Sequence, residues 1–194
     1  VFEPKTDAEV REIFESHISK GYQLYCEGYV KQVDALSAFN ESSLNTIRIP
    51  TLLTGKNADS YQVHVFYPSI RFGRAGSVVD NAATGGITVQ IDAESGTLYP
   101  IARDKNNQSY VEHPDSHLLF EGFVVPRWEE ALEFTKQLAL TYPQNRFTGW
   151  DVALTDNGWV VIEGNGRSQF FGRQVCDRIG KKPEMDAMIA RLKE

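Results

Sequence analysis

Residues 149–165 read Gly149-Trp150-Asp151-Val152-Ala153-Leu154-Thr155-Asp156-Asn157-Gly158-Trp159-Val160-Val161-Ile162-Glu163-Gly164-Asn165. Two strand-forming runs, 147–155 and 159–164, flank Asp156-Asn157-Gly158, which is hairpin chemistry. With Gly158 at the left-handed position, the three residues predict a three-residue loop. Asp151 then stands opposite Glu163, and Asn165 lies two residues further along the same face. A two-residue Asn157-Gly158 turn would instead send Glu163 to the other face. In the first register two carboxylates and an amide oxygen converge, with no lysine in the pattern. Facing carboxylates repel unless neutralised, and a hard, oxygen-preferring cation such as Mg2+ would neutralise them. The same pattern also fits a solvated strand face beside a turn.

The flanking sequence builds a sheet around this hairpin. Residues 6–20 place Val10, Ile13, Phe14, His17 and Ile18 on one helical face, with Thr6 and Glu9 as a capping box and Gly21 as the stop. His17 is read there as a core residue. Residues 22–30 are aromatic-rich and read as a strand leaving through Gly28. Residues 45–54 and 61–72 are strand-like, and their prolines, Pro50 and Pro68, argue for ends, edges or bulges. A loop over 73–86 holds Gly73, Gly76, Gly85 and Gly86. Residues 87–92 and 97–102 alternate around Glu94-Ser95-Gly96, another hairpin, and 104–119 read as a loop. Pro126 opens an amphipathic helix over roughly 127–141, and Pro183 starts one over 183–193. The order predicts an α+β domain around a mainly antiparallel sheet, one domain over 1–194.

Composition removes several function classes. The chain has 194 residues, enough for one ordinary domain or one large piece of a two-piece enzyme. Hydrophobic residues are 41% and charged residues 24%, the balance of a globular domain rather than a disordered tail or coiled coil. A net charge of −6 and the lack of a basic cluster argue against nucleic acid. No apolar run reaches the roughly 20 residues of a bilayer span, and no signal peptide opens the chain. Beginning at Val1, the chain is expected to be processed or cut from something longer. Cys26 and Cys176 make no CxxC and read as separate buried thiols of a cytoplasmic protein. Pro114 argues against His113 and His117 sharing a helix as zinc ligands. Walker A, GxGxxG and GxSxG patterns are all missing.

An Asp on one strand, a hairpin, then Glu-x-Asn on the next resembles the magnesium-binding pattern of the ATP-grasp fold. Further stretches are similar to the sugar-transfer-associated ATP-grasp family: Ser43-Leu44-Asn45-Thr46-Ile47-Arg48-Ile49, Arg71-Phe72-Gly73, Val79-Asp80-Asn81 through Gly85-Gly86-Ile87, His113-Pro114, Gly149 to Ala153, and Glu163-Gly164-Asn165. The resemblance implies an enzyme that uses Mg-ATP to activate a carboxylate as an acylphosphate, which an amine or other nucleophile then captures. Asp151, Glu163 and Asn165 would hold Mg2+. Arg48 and Arg71 resemble the strand arginines that contact phosphates, and a planar, always-charged fork suits that task. Asn81 would be catalytic, and Gly85 and Gly86 would bring the loop close to nucleotide or substrate.

The resemblance also implies an adenine site. Glu27-Gly28-Tyr29-Val30 resembles the hinge that receives adenine, with backbone near Glu27 and Val30, Tyr29 beside the ring, and Asp34 meeting the ribose. The family's phosphate lysine and glycine-rich lid have no counterpart, so the chain resembles the C-terminal part of the fold. A preceding subdomain or partner chain is expected to complete it. The expected setting is cytoplasmic synthesis of a cell-surface polysaccharide or sugar polymer, with ATP, a carboxylate and a nucleophile as partners. The alternative is a non-catalytic nucleotide- or carbohydrate-binding module, for which Trp128, Trp150 and Trp159 would matter; Trp128 and Trp159 are read as core.

Overall fold

The structure is a computed structural model that describes residues 6–24, 28–166, 168, 174, 176 and 178–192. The chain divides into two compact units, Val1–Val30 and Lys31–Glu194. In the first, α1 (Asp7–Ile18) starts at the expected capping box. The Glu9 N–H donates to Thr6 Oγ1 at 3.3 Å, and the Thr6 N–H donates to Glu9 Oε2 at 2.9 Å. Gly21 follows with φ +81°. His17 is exposed rather than core, and its Nδ1 lies 2.8 Å from the Ile13 carbonyl. The predicted strand over 22–30 is absent from the described residues there, and Tyr25–Glu27 lie outside the description. Aromatic content favours a strand only where a neighbouring ladder exists to pair with it.

The second unit begins with α2 (Asp34–Ser37) and then builds one antiparallel sheet. Its strands are β1 (Ile47–Thr54), β2 (Gln62–Val65), β3 (Ser69–Phe72), β4 (Ile87–Ile91), β5 (Leu98–Arg103), β6 (Ser109–Tyr110), β7 (Phe147–Thr155) and β8 (Gly158–Asn165). The order is β6-β5-β4-β3-β1-β7-β8, with β2 also on β1. One edge of β1 is thus shared, with Ile47 and Arg48 pairing β3 and Thr51–Thr54 pairing β2. Pro50 sits in the gap between those partners. Its carbonyl accepts from Phe66 on that side, and its missing N–H is needed by neither ladder. The run 61–72 therefore divides into β2 and β3 around Phe66-Tyr67-Pro68.

Alternation along the strands separates the two faces of the sheet. Ile47, Ile49, Ile70, Phe72, Ile87, Val89, Ile91, Val152 and Leu154 form a buried core face. It packs against α3 (Trp128–Thr141) through Trp128 and Ala131, and against Leu36 and Phe39. Phe39 stacks on Phe72 at 4.4 Å and meets Phe123 edge-on at 4.9 Å. Gly96 is required beneath Trp128, since at φ +73° any Cβ would come within 2.5 Å of the indole. The final helix, α4 (Lys182–Arg191), places Met188 over Leu52 and Phe147 on the opposite face.

A buried amide network fixes the approach to β1. Asn45, fully buried, donates through Nδ2 to the Leu36 and Asn40 carbonyls and accepts from the Gly73 N–H. Gln32 donates to the Asn40 and Ser43 carbonyls and accepts from the Asn45 N–H. Every one of these groups would otherwise be desolvated and unpaired. Asn45→Ala is expected to cost about 2 kcal/mol in urea denaturation, because the Gly73 N–H loses its acceptor and the Leu36 and Asn40 carbonyls each lose one of two donors; a loss below about 1 kcal/mol would contradict this account.

A second tie fastens the loop after β3. Arg74 forks onto Asp115 at 2.8 and 2.9 Å, and the Ala75 N–H donates to the same carboxylate. The Arg74 hydrogen bond outweighs burial and, with the Ala75 N–H, holds the Asp115 carboxyl down at about 2. A depressed acid stabilises above its ordinary range of about 4 and loses that contribution as pH falls through its folded value. Between pH 4 and 2, wild type should therefore lose more stability than Asp115→Asn, as read from urea midpoints.

Candidate active site

Three strands carry one cross-strand row on the face opposite the core. Glu163 on β8 pairs with Asp151 on β7, and Asp151 pairs with Arg48 on β1. Asn165 pairs with Gly149, one step along on the same face. The expected juxtaposition of Asp151 and Glu163 is therefore present, but its cause differs from the expectation. The loop holds only Asp156 and Asn157, because Thr155 already pairs with Gly158. Partners then run regularly to Val152 and Val161, where Ile162 is skipped as a bulge before Asp151 meets Glu163. Were Ile162 instead paired with Asp151, Glu163 would face Trp150 and point into the opposite layer.

Asp151 is 2% exposed and is claimed by two arginines. Arg48 engages it through Nε and through Nη2 at 2.7 Å from Oδ2. Arg71, on β3, places Nη2 3.0 Å from the same Oδ2. Arg71 also donates to Thr46 Oγ1 from Nη2 at 2.7 Å, and its Nε lies 3.5 Å from Asp80 Oδ2. Burial draws the Arg48 guanidinium down, but the Asp151 hydrogen bond and charge, with Glu163 and Asp80 behind them, raise it above its ordinary value. Arg48 therefore stays charged throughout any working pH range. Gly149 leaves the room this requires: a Cβ there would lie 2.2 Å from Ser168 Oγ and 3.0 Å from Arg48 Cδ.

The donor set suits a hard cation. Asp151, Glu163 and the Asn165 amide offer oxygen only, and among the described residues no cluster of three or more His, Cys, Asp or Glu side chains could hold a metal. Mg2+ characteristically takes one or two carboxylates and draws its remaining ligands from phosphates and water. Among the described residues, Asn165 Nδ2 and Ser168 Oγ are buried and find no hydrogen-bond partner. Arg48 and Arg71 each bind protein through Nε and Nη2, so Nη1 of each makes no hydrogen bond to a described residue. Both side chains are partly exposed, at 20% and 28%.

Other anticipated residues lie apart from this row or in the first unit. Asn81 is exposed and precedes a short 3-10 turn, Ala82–Thr84; its carbonyl accepts from the Thr84 and Gly86 N–H groups. Gly85 has φ +90°, and a Cβ on Gly86 would lie 2.1 Å from the Asp80 carbonyl, so both glycines close the loop on itself. Asp34 is exposed in the first turn of α2 and lines an open groove with Asn40, Glu41 and Asp115. Tyr29 is 89% exposed and Val30 half-buried, while Glu27 lies outside the described residues.

Thr46 carries no role in the sequence reading, and Asp80 belongs there with Asn81 to the phosphate- or substrate-proximal loop of the resemblance. Their link to Arg71 becomes visible only once β1 and β3 are paired. The histidines and tryptophans serve packing or local bonds. His113 is fully buried, with Nε2 2.9 Å from the Gly73 carbonyl, and burial holds its ring pKa low. The indole N–H groups of Trp128, Trp150 and Trp159 donate to the Ala93 carbonyl, Thr51 Oγ1 and the Arg127 carbonyl. Cys176 is a half-buried thiol 3.5 Å from the Thr88 carbonyl, and Cys26 lies outside the described residues.

A mainly antiparallel α+β sheet is consistent with an ATP-grasp domain. The chain belongs to the sugar-transfer-associated ATP-grasp family, whose profile matches residues 10–188. That membership implies an ATP-dependent, ligase-like function linked to sugar transfer. No curated protein matches the chain. No described helix is long and apolar enough to cross a membrane.

The charge arrangement makes a stability prediction independent of any ligand. Asp151→Ala would leave two adjacent guanidinium groups without their shared acceptor and is expected to cost about 3 kcal/mol. Glu163→Gln, at an exposed position, should stay within about 0.5 kcal/mol. Urea denaturation of both variants checks this, and equal losses would contradict the geometry.

Proposed function

We propose that this chain forms the metal- and phosphate-binding part of an ATP-dependent carboxylate ligase. The observation that carries the reading is the shared Asp151: two arginines meet on one buried carboxylate, each with Nη1 unused, beside Glu163 and Asn165. In this reading Nη1 of Arg48 and Arg71 takes oxygens of the γ-phosphate. Asp151 stays on the arginines, and its Oδ1, which among the described residues accepts only from Arg48 Nε, keeps a lone pair with which it would act beside Glu163 and Asn165 as an oxygen ligand. Asp151, Glu163 and Asn165 would hold Mg2+, which would supply neutralisation of the charge developing on the phosphates.

The substrate carboxylate then attacks the γ-phosphorus, the bond to the β-bridging oxygen breaks, and ADP leaves. An amine or other nucleophile attacks the resulting acylphosphate at carbon and expels phosphate. Positioning and charge neutralisation carry most of such a transfer. Asn81 and the Gly85-Gly86 loop would border the carboxylate substrate. Glu27, Tyr29 and Val30 would receive adenine, and Asp34 the ribose. The lid and phosphate lysine of this reading come from a further subdomain or a partner chain. A polymer-linked setting, in the cytoplasm where ATP is supplied, is part of this reading, and the family's association with sugar transfer supports its sugar-linked side. The inward-bonded indoles give the carbohydrate-binding alternative no support.

A thermal-shift titration with ADP, with and without Mg2+, tests the site. A ligand at 100 times its dissociation constant adds about 2.7 kcal/mol, a shift of several degrees for a chain of this size. The expected result is a Mg-dependent shift that Glu163→Gln abolishes. A shift indifferent to Mg2+ and to Glu163→Gln, or no shift at all, would sink the reading.

A further inference from the structure

We infer that Thr46 is a positioning residue whose hydroxyl, oriented by Asp80, aims the Arg71 guanidinium into the phosphate-binding side of the site. The inference rests on the reading of Arg71 as a phosphate ligand. Thr46 clasps Arg71 at both ends. Its carbonyl accepts the Arg71 backbone N–H at 2.9 Å, and its hydroxyl accepts Arg71 Nη2 at 2.7 Å and Nε at 3.2 Å. Thr46 is 5% exposed, so water does not compete for that hydroxyl.

Asp80 sets the direction of the clasp. A hydroxyl has one proton and two lone pairs. Asp80 Oδ2 takes the Thr46 hydroxyl proton in a short contact and accepts the Thr46 backbone N–H at 2.9 Å. With its proton committed there, the hydroxyl turns its lone pairs towards Arg71. Asp80 itself is 8% exposed and held from behind, since its carbonyl packs against Gly86 where no Cβ fits. At 3.5 Å from Arg71 Nε it supports the positive charge without taking a donor from it. Nε and Nη2 are thereby occupied by Thr46 and Asp151, and Nη1 is the nitrogen turned towards a ligand. A guanidinium locked in this way loses less side-chain entropy when it meets a phosphate.

Affinity for the Mg complex of a non-hydrolysable ATP analogue that keeps the γ-phosphate (AMP-PNP), measured by calorimetry, tests the inference. Thr46→Val keeps the shape and removes the hydroxyl, and is expected to weaken binding about tenfold, whereas Thr46→Ser should stay within about twofold. The loss should vanish in an Arg71→Met background, because Thr46 acts through Arg71. A purely structural role would lower the melting temperature of Thr46→Val and leave the dissociation constant unchanged, in both backgrounds. Should Thr46→Val not fold, Asp80→Asn carries the same cycle. Wild-type affinity in Thr46→Val, or full additivity with Arg71→Met, overturns the inference alone. Failure of the wild-type chain to bind Mg-AMP-PNP removes the phosphate role of Arg71 and the inference with it.

Discussion

One buried carboxylate organises the functional face of this sheet. Asp151 lies beyond the reach of solvent, so its charge is tolerable only because guanidinium groups arrive from two other strands. That demand reaches far along the chain. β7 must pair β1 in the register that brings Arg48 across, and β3 must join the other edge of β1 to deliver Arg71. Position 149 must lack a side chain so that Arg48 and Ser168 fit beside it. The core on the opposite face serves the same end, since Ile47, Ile49, Ile70 and Val152 hold the strands that carry the charged residues between them.

The charge state of the cluster is also its chemistry. Two guanidinium groups face three carboxylates, those of Asp151, Asp80 and Glu163. Each arginine is saturated on one side and open on the other. On the proposed reading, a phosphate bearing its own cation would satisfy both halves together.

Much of this was legible in the residues. The strand and helix order after residue 45 followed from alternation, prolines and hairpin signals, because those signals are local. The pairing of Asp151 with Glu163 was also legible, although through the wrong device. Composition cannot distinguish an extra residue in the loop from one in the strand. Arg48 as the counter-charge of Asp151 was not legible as such, since the two are 103 residues apart and meet only through the β1–β7 pairing. The segment 22–30 shows the opposite error, with aromatic residues that favour a strand and no strand among those described. The role of Asp80 was hidden next to the polar residue that drew notice, Asn81.

The bulge at Ile162 has a bearing on how this hairpin can change its length. Ile162 has no cross-strand partner, so it acts as a spacer between two stretches of ladder. Removing that one residue would leave each remaining pair matched as before, with the tip on one side and the charged row on the other. Removing a residue of β7 between Asp151 and the turn would instead force one strand to slide and trade faces along its length. Length tolerance in this hairpin is therefore concentrated at a single side chain, and that side chain is 43% exposed, outside the packed interior.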